Sequence, residues 1–203
     1  SDLLALDLAG SGFARGRGQG VAHDRAEQVR AVTVGRVATA RAEGLIDAAA
    51  RDYLAAQYAF HEAVDPDGLA EMAGIAAGFG LDPAEVFAHL HLGTLRDLKG
   101  GGRLEDGCSS WAVGQGPDGP LVVKNRDFSG THLGIQTVAR HAGPDVATGA
   151  MLCLGSLGSP GAYSSGINAR GFALADDLAA GNTVMISSLV NRIVRSPTVT
   201  SRL

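Results

Sequence analysis

The main change of period in the hydrophobic pattern of this chain falls at Cys108. Upstream, Ala-rich stretches carry apolar residues at helical spacing. Downstream, short apolar runs separated by glycine turns read as strands. Helices followed by strands predict an α+β fold, in which the two kinds of element pack on each other instead of alternating. The only feature at the changeover is a loop with three consecutive glycines, Gly100-Gly101-Gly102, ending in Asp106-Gly107 just before the thiol. Such a stretch reads as a linker.

The upstream part divides by its punctuation. Residues 1–20 read as a strand and then a surface turn rich in Gly and Arg. A dinucleotide loop is excluded there, because Arg15 stands where the third glycine counted from Gly10 would fall. Two long helices are expected over 20–43 and 45–61, with Gly44 between them. Asp65-Pro66 opens a further helix with a cap and a first-position proline. Leu69, Met72, Ala76 and Phe79 form its apolar stripe, and Gly80 closes it. Asp82-Pro83-Ala84-Glu85 opens another in capping-box style.

Downstream, strands over 110–114 and 121–126 flank Gly116-Pro117-Asp118-Gly119, a hairpin signal. More strands are expected near 134–140, 147–155, 161–167 and 171–175. A final helix is expected over 183–195, ended by Ser196-Pro197. The chain thus divides into a helical segment, 1–107, and a β-rich segment, 108–203.

With 203 residues and a net charge of −4, the chain lacks the basic surface that phosphate binding requires, so no nucleic-acid partner is expected. No apolar run reaches the roughly 18 residues that would span a bilayer, and no charged-then-apolar leader is seen. Two cysteines make no disulfide framework and suit a reducing compartment, so a cytoplasmic location is expected. Ser201-Arg202-Leu203 looks like a peroxisomal address; a chance ending is the reading preferred.

Several chemistries are excluded by spacing. His61-Glu62 lacks the second histidine of a zinc-protease helix, and His89 and His91 fall on different helix faces, so no metal site is expected. No phosphate-binding lysine loop and no serine elbow occurs. Cys153 lies in an apolar strand and reads as a core thiol. Cys108 differs, since Gly107 and Ser109 flank it. Gly107 permits the backbone strain that lets a thiol attack its own preceding carbonyl. Cleavage there would free an α-amine on Cys108, and such amines titrate near about 7.7–8.0, close to a working general base. Nineteen residues on lies Asp127, a candidate to orient that amine by a charge-assisted hydrogen bond. Lys124 is a candidate to favour the thiolate, and backbone N–H groups with an amide side chain would hold the oxyanion. Asn125 is a candidate in support.

These residues resemble a known family. Asp106-Gly107-Cys108-Ser109-Ser110 is similar to the Asp-Gly-Cys-Thr cleavage site of the autoproteolytic acyltransferases typified by fungal acyl-coenzyme A:6-aminopenicillanic acid acyltransferase, which belong to the N-terminal nucleophile hydrolases. Asn125-Arg126-Asp127-Phe128 resembles their Asn-x-Asp-aromatic motif. Gly166-Ile167-Asn168-Ala169-Arg170-Gly171 resembles their Gly-apolar-Asn-x-x-Gly hairpin, which adds Asn168 as a supporting candidate. Gly10 to Gly20 followed by helices is similar to the family's N-terminal segment. The resemblance implies an αββα sandwich with antiparallel sheets, cleavage between Gly107 and Cys108, and association of the two pieces. It implies amide hydrolysis or acyl transfer on a small-molecule amide through a thioester on Cys108. It implies no cofactor, although acyl-coenzyme A would suit as acyl donor. Lys124 falls where the related bile-salt hydrolases keep an arginine.

The sequence also departs from the family. Members continue past the helix that follows the Asn168 hairpin, so a sandwich incomplete at the C-terminus is expected. Asp176 and Asp177 stand near positions where relatives place asparagine, and neither is assigned to catalysis. Two rival readings remain. One is a truncated, non-catalytic relative that serves as a binding or assembly module. The other is a cysteine peptidase in which His132 or His141 acts as base for Cys108.

Overall fold

The computed structural model describes residues 3–100, 108–114, 117, 119–126, 130–161 and 164–175. The linker before Cys108, Asp127 and the helix expected over 183–195 lie outside the described residues, as do Asp176 and Asp177.

The fold is α+β. It opens with β1 (Leu4–Ala9), and α1 (Gly12–Gly18) follows at once. The turn expected over Gly10–Gly20 is therefore a helix, and the reason is partly local and partly distant. Ser11 caps it, its hydroxyl accepting from Ala14 N–H at 3.3 Å. The glycines then let α1 lie against α5 (Pro66–Phe79) almost backbone to backbone. A Cβ on Gly16 would collide with the main chain of Glu71, and one on Gly74 with that of Phe13. Glycine spacing that looks like a loop in the sequence is here the contact face of a helix pair.

The helix expected over 20–43 is broken at its start. Two 3-10 turns (Gln19–Val21 and His23–Arg25) precede α2 (Ala26–Arg30), a π turn (Ala31–Gly35) and α3 (Arg36–Ala42). The next helix, α4 (Ala48–Val64), starts and ends three residues later than expected, because Asp47 caps it by accepting from Ala50 N–H at 2.9 Å. Asp65 caps α5 through Gly68 N–H, and Gly80 ends it at φ +63°. Asp82 caps α6 (Pro83–Leu90) through Ala84 N–H. The reciprocal half of the expected capping box is not made: the carboxylate of Glu85 turns to Arg41 and meets it in a two-pronged ion pair. A short α7 (Leu92–Leu98) completes the helical layer.

The strands are β2 (Cys108–Val113), β3 (Leu121–Arg126), β4 (Gln136–Ala142), β5 (Met151–Ser156), β6 (Ser165–Asn168) and β7 (Ala173–Ala175). Five of them form one sheet in the order β1-β4-β5-β6-β7, in which β1 is parallel to β4 and the remaining pairs are antiparallel. Strands β2 and β3 form a separate antiparallel hairpin, and β3 approaches β7 at the edge of the larger sheet.

The core follows from this layering. Val29, Val32, Met72, Ile75, Ala76, Phe79, Val86 and Phe87 are buried together with Ile135 and Leu157 between helices and sheet. A second cluster of Val37, Ala40, Ala88, Leu92 and Leu95 binds α3 to α6 and α7. Cys153 is 1 % exposed beside Val146 and Met151, as its apolar strand led one to expect. On the opposite face of the sheet Leu152, Leu154 and Ile167 are exposed. Among the described residues no helix is long and apolar enough to cross a membrane.

Candidate functional site

Cys108 is the first residue of β2, two positions earlier than the strand was expected to begin. It is half-buried and lies opposite Arg126 in the hairpin register; Ser109 faces Asn125 and Ser110 faces Lys124. Directly opposed residues share a face of an antiparallel pair, and faces alternate along each strand. Cys108, Ser110 and Lys124 therefore belong to one face, and Ser109, Trp111 and Asn125 to the other. Burial agrees: the first three are half-buried, the second three exposed.

This register separates the sequence candidates. Lys124 is diagonal to Cys108, a spacing of roughly 7–8 Å between backbones that a lysine side chain can bridge. Asn125, its neighbour in sequence, is on the wrong face to reach the thiol directly. Gly107 and Asp127 lie outside the described residues. Asn168 is 5 % exposed, and its Oδ1 accepts from Arg170 N–H at 3.0 Å and Phe172 N–H at 3.1 Å. That oxygen holds the β6–β7 turn, and Gly171 at φ +77° completes it. The motif that carries the resemblance at Asn168 is thus also what this turn requires for its own geometry.

The two histidines of the peptidase reading are both buried. His132 Nδ1 stands 3.4 Å from Ser156 Oγ. His141 Nδ1 stands 3.5 Å from Glu71 Oε1. Each has a partner in or beside the five-stranded sheet, and Cys108 lies in the separate hairpin.

Sequence reasoning passed over a buried charge cluster. Arg15 is 0 % exposed and binds both oxygens of Asp145 at 2.6 Å, the Gly10 carbonyl at 2.7 Å and Glu71 Oε2 at 3.4 Å. Burial alone would lower the Arg15 pKa, but the Asp145 hydrogen bonds and the nearby carboxylate charges raise it above its ordinary value. Glu71, also 0 % exposed, accepts from Gly161 N–H at 2.7 Å. The signal was present in outline: an arginine one turn inside a glycine face has no route to solvent once that face is packed.

His89 in α6 and His91 at its C-terminal cap have different surroundings. His91 Nδ1 donates to the Phe87 carbonyl at 2.8 Å, and its ring packs near those of Tyr53 and His61. His89 is buried and within electrostatic range of Arg36 and His132. Burial pushes His89 down to about 3, helped by Arg36 and His132. Burial pushes His91 down to about 4, with the Phe87 bond opposing and His61 assisting. Both are neutral at pH 7. Among the described residues no group of three or more His, Cys, Asp or Glu is disposed to hold a metal ion.

No protein-family model matches this chain, and no curated protein matches it.

Proposed function

We propose that this chain is a self-processing cysteine amidohydrolase or acyltransferase acting on small amides, with Cys108 as nucleophile. The observation that carries the reading is the position of the thiol: it opens β2 directly after Gly107 and shares its face with Lys124.

In this reading the Cys108 thiolate adds to the Gly107 carbonyl, and the Gly107–Cys108 C–N bond breaks. The proton given up by the thiol ends on the departing nitrogen, which leaves a thioester and a free α-amine on Cys108. Water hydrolyses the thioester and releases the carboxylate of Gly107. In turnover the α-amine takes the thiol proton, and the thiolate adds to the substrate carbonyl. The departing amine receives that proton. Water or a second amine then takes the acyl group from Cys108; where acyl-coenzyme A is the donor, its thiol leaves with the proton in place of the amine. Lys124 supplies positive charge beside the thiolate, and Asp127 orients the α-amine. The αββα sandwich, with the two pieces associated, is the architecture that goes with this chemistry.

Intact-mass spectrometry of purified protein tests it. The expected result is two pieces, one ending at Gly107 and one beginning at Cys108, and a single uncut chain for Cys108→Ala. A wild-type chain that stays whole and forms no thioester adduct with an activated acyl donor would overturn the proposal.

A further inference from the structure

We propose that His141 is held as an imidazolium in the folded protein, making it the fourth member of the buried charge cluster and making the docking of α1 and α5 onto the sheet proton-dependent. The inference stands on contacts remote from Cys108 and does not depend on the role given to that residue.

The geometry is as follows. The side chains of Arg15 and Glu71 are 0 % exposed, that of His141 2 % and that of Asp145 8 %. They come from four separate places: α1, α5, β4 and the turn after β4. Gly161 N–H, ahead of β6, adds a fifth. Arg15 gives its two closest ion contacts to Asp145, each at 2.6 Å, and only a 3.4 Å contact to Glu71. The other oxygen of Glu71 takes Gly161 N–H and faces His141 Nδ1 at 3.5 Å. That is an ion-pair separation.

Within the cluster, Glu71 is the charged group in contact with His141. Glu71 approaches from α5, Arg15 lies behind Glu71 on α1, and Asp145 sits on the turn, bound to Arg15. In the strand register its neighbours are Leu8 on β1 and Met151 on β5, both apolar. Arg15 thus binds two carboxylates, that of Glu71 fully buried and that of Asp145 mostly so. Burial by itself disfavours an imidazolium, but a buried carboxylate at this distance favours it, and the apolar surroundings strengthen that attraction. Loss of the Nε2 proton would leave Glu71 facing only a neutral Nδ1–H beside the 3.4 Å Arg15 contact and Gly161 N–H, a weaker set of partners for a buried carboxylate.

The sign of the pH effect follows. A proton that the fold holds more tightly than the unfolded chain stabilises the fold below about pH 6.5, the ordinary histidine value. That stabilisation disappears as pH rises to where folded His141 gives the proton up. The neutral histidines His61, His89 and His91 act in the opposite sense, so the comparison must isolate residue 141.

Urea unfolding of the full chain and of its His141→Gln variant at pH 6 and pH 9 makes that comparison. The expected result is that the variant's unfolding constant, relative to wild type, is about tenfold larger at pH 6 than at pH 9, which is what a one-unit shift in proton affinity produces. The same comparison made in a Glu71→Gln background is expected to show no pH difference. A nuclear magnetic resonance titration of the wild-type His141 ring, assigned through its backbone amide, covers the case in which a variant fails to fold; it is expected to show a protonated ring at pH 7. A ring already neutral at pH 6, or a variant-to-wild-type ratio equal at both pH values, would overturn the inference.

Discussion

The guanidinium of Arg15 and the carboxylate of Asp145 meet in a bidentate pair, both bonds 2.6 Å, across 130 residues of chain. This one contact fastens α1 to the turn that follows β4. Arg15 also holds the Gly10 carbonyl at 2.7 Å, so it fixes the exit from β1 as well. The pair is geometric glue between the helical layer and the sheet. Its energetic sign is seen only when it is broken, because removal of one partner leaves charge stranded in the interior.

Arg15→Met is accordingly expected to destabilise the fold by about 3–5 kcal/mol, since it removes the guanidinium that both Asp145 and Glu71 bind. Arg15→Lys keeps the charge and loses the fork, so it is expected to cost less but to remain measurable. Urea denaturation midpoints at pH 7 check both.

The glycines of α1 and α7 are expected to respond in opposite directions to alanine. At Gly16 an added methyl collides with the main chain of Glu71, and overpacking of this kind costs about 1–3 kcal/mol or more. At Gly93, within α7, nothing lies within 4 Å of the added atom. There the higher helix propensity of alanine is expected to stabilise by about 0.5–1 kcal/mol. Thermal melting of the two variants separates them.

Acid is expected to weaken the fold through α6. His89 and His91 are depressed to about 3 and about 4, so the unfolded chain binds protons there that the folded chain refuses. Stability is intact above about pH 6.5 and falls as pH drops below it, by about 3 kcal/mol per histidine at most between pH 7 and pH 4. His89→Leu is expected to flatten this slope. An unchanged slope in urea titrations over that range would contradict the burial argument.

The hairpin faces predict a difference between neighbours. Lys124→Met is expected to slow alkylation of Cys108 by iodoacetamide by about three- to tenfold, as loss of a cation at that range in partly wet surroundings implies. Asn125→Ala, on the other face, is expected to change the rate by less than about twofold. Equal effects would mean that the strand register does not govern access to the thiol.

Asn168→Ala is expected to destabilise by about 1–3 kcal/mol, because two N–H groups of the β6–β7 turn lose their acceptor. Asn168→Asp keeps an oxygen in place and is expected to recover most of that loss in the same melting assay.

Much of the secondary structure was legible because its signals are local. Asp65 and Asp82 announce helix starts with a side chain that reaches only two or three residues, and Gly80 announces a stop with its own φ. The change of period at Cys108 likewise needs no partner to be read. Glu85 and the stretch from Gly10 to Gly20 were misread for the converse reason: Arg41 and α5 decide their fate, and both are distant in sequence. Of the candidate site, the thiol and the lysine were legible as residue types, and the register alone showed that Lys124 shares the thiol's face while Asn125 does not.

By itself, then, the sequence determined where α5 and α6 begin, that Cys153 is core, and which thiol stands at the change of architecture. Tertiary structure decided that a glycine-rich run is a helix contact, that Arg15, Glu71 and His141 are buried together, and that the Asn168 oxygen holds a turn. Caps and periodicities act within a few residues, whereas burial, close backbone approach and charge pairing exist only once distant segments have met.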